Sequence, residues 1–299
     1  MGFFLSLLIN GLLTGTLYAL VALGLVLIYK ASSVLNFAQG VMVLLAGFLV
    51  ALFIHFSFPV WLAILVAGLA MVGMSFAVER FVLRPLVAQP IISLIMVTLG
   101  LALFIQGAQT LASNIWPIFT LDIGISRTPV DIGGVLILPV NIIGAGLAVA
   151  LFAMVGYLFM YTQTGRALRA ISDDHEAALS VGVSIKKLWV IVWGIAGIVG
   201  LVAGLVWGSR VSVSIGIAEL AFTAFAVVIL GGLDSLVGAI IAGLFIGAAE
   251  NLVAGYVDPM LVALGTSGGT KGFFPYLLML IVLWIRPYGL FGRETIERV

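Results

Sequence analysis

The side chains able to do chemistry in this chain are few, and they interrupt otherwise apolar segments: Glu250 with Asn251, Asn36 with Gln39, Gln106 with Gln109, and Thr223. An ionisable or amide group in hydrocarbon is costly, and where it persists it marks a solute pathway or a bond between helices. Glu250 has two readings, a polar pathway or a pairing with Arg210 or Lys271. Asn36 and Gln39 lie among Phe37, Ala38 and Gly40 at the start of an apolar segment. They fit an interrupted helix that offers backbone groups to a zwitterion, or a pair of interhelical amide hydrogen bonds. Gln106, Gln109 and Thr223 carry the same two readings.

None of these groups forms an enzyme constellation. The chain has no cysteine, which removes thiol catalysis, disulfides and thiolate metal sites. His55 and His175 are far apart and have no metal-ligand companions at useful spacing. The stretch GTSGGTKG at 265–272 mimics a phosphate loop, but Thr270 stands where the second glycine belongs and Gly272 where Ser or Thr belongs. Gly194, Gly197 and Gly200 follow apolar helix, not a strand, so no dinucleotide fingerprint is present. The expectation is a chain without catalytic residues, metal or cofactor of its own. A net charge of +1 gives no footing for nucleic acid.

The elements that must hold these groups follow from composition. Apolar residues make up 63% of 299 positions, charged residues 8%, and the mean hydropathy is +1.32. A soluble domain carries about a quarter charged residues. The apolar residues lie in runs of helix length, with no strand alternation, so the fold class is all-α: a polytopic helical membrane protein. Nine segments stand out, at 3–29, 33–55, 59–78, 91–113, 141–161, 188–208, 215–232, 236–257 and 273–286. The seventh is short enough to be a half-span. The first has no basic leader or small-residue cleavage site and reads as a retained helix.

Of the 13 Lys and Arg residues, Lys30, Arg80, Arg84, Arg166, Arg169, Lys186, Lys187, Arg286, Arg293 and Arg298 fall on one side, and Arg127, Arg210 and Lys271 on the other. The positive-inside bias then places the amino terminus outside and the carboxyl terminus in the cytoplasm. A single transmembrane domain covers 1–299, with an external loop at 114–140 and a cytoplasmic loop at 162–187. Pro117, Pro129, Gly133 and Gly134 predict turns over the bundle mouth. Glycines four apart, Gly11/Gly15, Gly204/Gly208 and Gly243/Gly247, predict close helix contacts or sliding surfaces. Glu79, Arg80 and Arg84 predict a local ion pair at an inner boundary.

The cytoplasmic stretch Gly165–Gly182 reads GRALRAISDDHEAALSVG. Leu168, Ile171 and Leu179 share one face while Arg169, Asp173 and Glu176 lie elsewhere, which predicts a short amphipathic helix across the bundle end. Asp173 and Asp174 suit a break between two short helices. From pattern alone this is either a solvated connector or a helix that docks on a partner.

Here the residues resemble a known family. GRALRAISDDHEAALSVGVSIKKLWVIVWGIAGIVGLVAGLVWG looks like the coupling loop and next span of branched-chain amino acid ABC permeases. LNFAQG at 35–40, Glu79-Arg80 with Arg84-Pro85, the segment 221–251 and RPYGLFG at 286–292 resemble further motifs of that family in the same order. Gln39 and Val41 stand where His and Glu are common, and Val237 where Pro is frequent. By pattern length and motif order, the chain resembles the LivH-type member of the two permeases.

The resemblance implies a permease subunit of an importer for branched-chain or related neutral amino acids in a bacterial or archaeal inner membrane. It implies a second homologous permease, two cytoplasmic ATPase subunits holding ATP and Mg, and a periplasmic or surface binding protein. Asn36, Gln39, Thr223, Glu250 and Asn251 are then pathway candidates. Gly165, Arg166, Arg169, Asp174, Glu176, Ala177 and Gly182 are then ATPase-coupling candidates. An ion-gradient-driven transporter and a permease for urea or short amides are the alternatives.

Overall fold

The structure, a computed structural model, describes residues 2–86, 89–118, 120–173, 178, 184–265 and 267–292. Among them are ten α-helices: α1 (Gly2–Ser32), α2 (Gln39–His55), α3 (Val60–Ala77), α4 (Ile91–Ile115), α5 (Pro139–Tyr161), α6 (Gln163–Asp173), α7 (Ile185–Val211), α8 (Ile215–Gly231), α9 (Leu236–Ala263) and α10 (Phe274–Ile285). Every apolar segment read from the sequence is a helix, and α6 is the amphipathic addition. A polytopic helical membrane fold is what the chain forms.

Six helices, α1, α3 with its extension to Leu86, α4, α5, α7 and α9, are long and apolar enough to cross a bilayer; α2 and α8 have 17 residues each and α10 has 12. At 1.5 Å per residue, 17 residues reach about 25 Å, short of a hydrocarbon core of about 30 Å. The expected seventh short segment is α8. The second starts later than its hydrophobicity predicts, because Ser33 takes φ 54° and the Asn36 Oδ1 accepts a bond from Ala38 N at 3.1 Å. That local turn holds residues 33–38 out of the helix.

α3 continues through a π-helical turn at Val78–Leu83, followed by a 3₁₀ turn at Arg84–Leu86. Residues five apart in a regular α-helix point roughly 140° away from each other. The wider π turn brings Arg84 over Glu79, with Nε donating to Oε1 at 3.1 Å and Nη2 to Oε2 at 2.9 Å. The local ion pair predicted there is present, and Arg80 is exposed.

The 114–140 loop carries a hairpin of β1 (Val130–Ile132) and β2 (Val135–Ile137). Gly133 and Gly134, at φ 65° and 84°, make its tight turn, and the Asp131 Oδ1 accepts from Gly134 N at 2.7 Å. Leu121, from the same loop, is buried against α7, where a Cβ on Gly208 would meet it at 3.0 Å.

α1 is apolar on all sides and is correspondingly the central post, buried from Leu17 to Ile28. Its closest neighbour is α9, and the glycines explain why. A Cβ on Gly11 would sit 2.8 Å from Ala248 Cα and Gly247 O, and one on Gly243 would sit 2.8 Å from Gly15 O. Two of the three glycine pairs are therefore one seam. Gly204 of the third meets Gly47 of α2, where a Cβ on Gly204 would sit 2.7 Å from Gly47 N.

At the basic end, residues far apart in sequence meet. Leu290 N donates to Leu230 O at 2.8 Å and Phe291 N to Gly231 O at 3.1 Å, so RPYGLFG docks on the α8–α9 turn. Ser235 caps α9 by accepting from Gly238 N at 3.0 Å, and Lys30 donates to Asp234 O at 3.2 Å.

The seam makes a signed prediction. Gly15→Ala drives a methyl into α9 and is expected to lower stability by about 1–3 kcal/mol. Gly107→Ala, where a Cβ meets nothing within 4 Å, is expected to stabilise α4 by up to about 1 kcal/mol. Unfolding midpoints of the two variants in one detergent check the opposite signs.

Candidate functional site

The site forms where α7 gives way to α8. α7 ends at Val211, Ser212 takes φ 76°, Val213 is buried, and Ser214 leads into α8 without capping it through its side chain. Gly40 in the first turn of α2 has no room for a Cβ against Ala218 O and Ala221 of α8, and the Phe37 and Phe225 rings pack 4.9 Å apart. α2 and α8 thus lie together by their beginnings. Gln39 packs on Gly24 of α1, eight residues and about 12 Å from the Ser32 end. Leu44 lies about 7 Å further along and borders the start of α8. α8 therefore begins within the bundle, about 20 Å from the Ser32 end of α1.

A cavity of about 450 Å³ opens at this point between α2, α4 and the α7–α8 corner. Its α4 wall is polar: Gln106, Gln109, Thr110, Ser113 and Asn114, a spacing of three and four that defines one helical face. The facing wall is Ser214, Ile215 and Gly216, the first turn of α8. Gln109 is 7% exposed, and its Oε1 has no hydrogen-bond partner among the described residues. The exposed face of α8 continues from Gly216 to Glu219, with half-buried Thr223 one turn further. An amide and hydroxyl strip with a carboxylate thus lies on the outside of an apolar bundle, at membrane depth.

Among the expected pathway residues, only Thr223 lies on this strip. Asn36 and Gln39 are fully buried beside α1, with Asn36 Nδ2 donating to Gln39 Oε1 at 3.4 Å. They shape the start of α2. Glu250 is 5% exposed in the α1–α9 interface, where the Tyr18 hydroxyl donates to its Oε1 at 3.2 Å. Arg210 donates to Thr14 Oγ1 at 3.1 Å and lies over the Trp207 ring at 5.0 Å, while Lys271 donates to Asn251 Oδ1 at 2.9 Å. Neither cation forms an ion pair with Glu250; among the described residues the one such pair is Arg84–Glu79. Tyr18, Trp207 and Arg210 make a stacked ladder that Glu250 closes.

Glu219, Thr110, Ser113 and Asn114 were not among the sequence candidates. The signal for the α4 residues was present in their spacing, beginning at Gln106 and Gln109. Glu219 was visible as an acid inside an apolar segment, and only its outward orientation distinguishes it from Glu250.

At the basic end α6 lies under α5, with Leu168 and Ile171 buried. Gly165 is packed so closely on the carbonyls of Leu158 and Phe159 that a Cβ has no room. Arg169 donates to Phe159 O, so its guanidinium fastens α6 to the end of α5, while Arg166 is exposed. Asp174, Glu176, Ala177, Leu179 and Gly182 lie outside the described residues.

The Tyr18–Glu250 bond predicts a thermodynamic coupling. Tyr18→Phe and Glu250→Leu each leave a buried polar atom without its partner and are expected to cost about 1–3 kcal/mol. The double variant is expected to cost less than their sum, read from unfolding midpoints.

Comparison with known proteins places this architecture. The chain is 25% identical to the high-affinity branched-chain amino acid transport system permease LivH of Escherichia coli, over 99% of this chain and 98% of that protein. It is 27% identical to the corresponding permease BraD of Pseudomonas aeruginosa over the same shares. It is also 27% identical to the fructose import permease FruF of Bifidobacterium longum, over 90% of this chain and 74% of that one. No solved structure matches. The family described as "branched-chain amino acid transport system / permease component" matches residues 7–283. With that match spanning the helical bundle from α1 into α10, the chain belongs to this permease family.

Proposed function

We propose that this chain is one translocation subunit of an ATP-binding-cassette importer for branched-chain or related neutral amino acids. The carrying observation is the polar strip of α4 and α8 on an otherwise apolar outer face. Polar groups at membrane depth need protein or a water-filled passage beside them, not lipid. A second, homologous permease laid on this strip turns it into the wall of a central pathway. The relatives' names support the solute class, with the fructose permease marking sugars as the competing one.

Energy comes from two ATPase subunits, which hold ATP and Mg, and a periplasmic or surface binding protein delivers the solute. The basic end, with α6, faces the cytoplasm, and the amino terminus lies outside. α6 suits the ATPase contact because it is fastened to α5 by Leu168, Ile171 and Arg169, so displacement of α6 is passed to a membrane helix.

The test is leucine uptake into proteoliposomes holding the complete importer and binding protein, with and without internal ATP. ATP-dependent uptake is expected. The exposed-residue variant Arg166→Glu is expected to lower it about tenfold while leaving the unfolding midpoint unchanged. Uptake by this chain alone, without ATP and driven by a proton or sodium gradient, overturns the proposal in favour of a secondary transporter.

A further inference from the structure

The cavity between α4 and the start of α8 has features that solute passage alone does not require. No cationic side chain lines it. Its positive potential comes instead from the start of α8: Ile217 N donates to Ser214 O at 2.9 Å, but the N–H groups of Ile215 and Gly216 have no intrahelical acceptor and Ser214 gives no side-chain cap. Access to that backbone is open: a Cβ built on Gly216 meets only Ser214 Oγ, at 3.6 Å. Packing therefore does not require glycine there, whereas close approach of a ligand to the helix start does. Across the cavity, the almost fully buried Gln109 has a carbonyl oxygen without a partner. Glu219 follows Gly216 by three residues on the same exposed face.

We propose that this cavity is a recognition site for the head group of a free α-amino acid, with the carboxylate on the first turn of α8 and the ammonium between Gln109 and Glu219. The complementarity has a direction. A helix start attracts an anion, and an amide oxygen with a carboxylate attracts a cation. The two poles lie about one helical turn apart, and Leu44 and Ile215 offer apolar surface to a hydrocarbon side chain. A sugar carries no such separated charges and leaves Glu219 without a counter-charge. The inference rests on the importer reading for the role of the site, but it concerns binding and is tested by binding.

The probe is tritiated leucine, bound to the purified permease–ATPase complex washed free of binding protein. Unlabelled leucine is expected to compete at least about tenfold better than leucinamide, which lacks the carboxylate, or 4-methylpentanoate, which lacks the ammonium. Gln109→Leu and Glu219→Gln are expected to weaken leucine binding by about tenfold. Gly216→Ala is the discriminating variant: alanine favours helix and has room, so a purely structural role predicts unchanged binding and equal or higher stability. The site reading predicts weaker binding at undiminished stability. Equal competition by the three analogues, competition by fructose, or wild-type binding in Gly216→Ala and Gln109→Leu overturns the proposal. So does absence of leucine binding in a complex that still imports leucine with ATP. Failure of ATP-driven leucine import by the wild-type importer counts instead against the function proposed above.

Discussion

The backbone contact between α1 and α9 is the constraint on which the rest of the bundle depends. Lipid supplies no hydrophobic drive for helix association, so stability must come from close packing and interhelical bonds. Gly11, Gly15, Gly243 and Gly247 remove side chains where the two helices meet. The gain is dispersion contact over many atom pairs, each small. With α9 drawn in on one side, α1 is enclosed by α5, α7 and α8 on its others. The Tyr18–Glu250 hydrogen bond lies in the same interface, so one costly ionisable group is placed where rigid helices hold its partner.

Filling the centre with α1 leaves no passage there. The polar groups of the proposed pathway lie instead at the periphery, on α4 and α8. α4 is largely exposed, yet carries amides and hydroxyls along one face. A helix facing only lipid gains nothing from Gln106, Ser113 and Asn114. The same protein therefore uses polar residues in two ways. Asn36, Gln39 and Glu250 are enclosed and shape the bundle, whereas Gln106 and Glu219 border an opening with the buried Gln109 in its wall.

The helices were legible because continuous apolar runs have one stable form in a membrane. The glycine spacing announced close contacts as well, but not that Gly11/Gly15 and Gly243/Gly247 would find each other. Partner choice is tertiary information. Hydrophobicity misplaced the start of α2, since Val34 and Leu35 look like span residues while Ser33 and Asn36 build a turn. It also ended the segment of α9 at 257, yet the helix runs to Ala263, with Pro259 inside it and Asp258 accepting from Thr270 N at 3.0 Å. Among site residues, burial was the missing quantity. An acid in an apolar segment reads alike at 219 and 250, and only the fold turns one out and the other in.

The chemistry of the opening suits passage better than retention. A pathway site must attract a solute from water and still release it. An arginine would offer a full charge and a bidentate grip on a carboxylate. The start of α8 offers about half a charge, spread over several N–H groups. The bidentate pairing of Arg84 on Glu79 is local, made within one turn at the basic end. Because α8 begins inside the bundle beside the first turns of α2, its attractive end faces a gap bordered by two short helices. A small shift of either helix changes the width of that gap without breaking a span, which is the mechanical freedom that alternating exposure of a solute site requires.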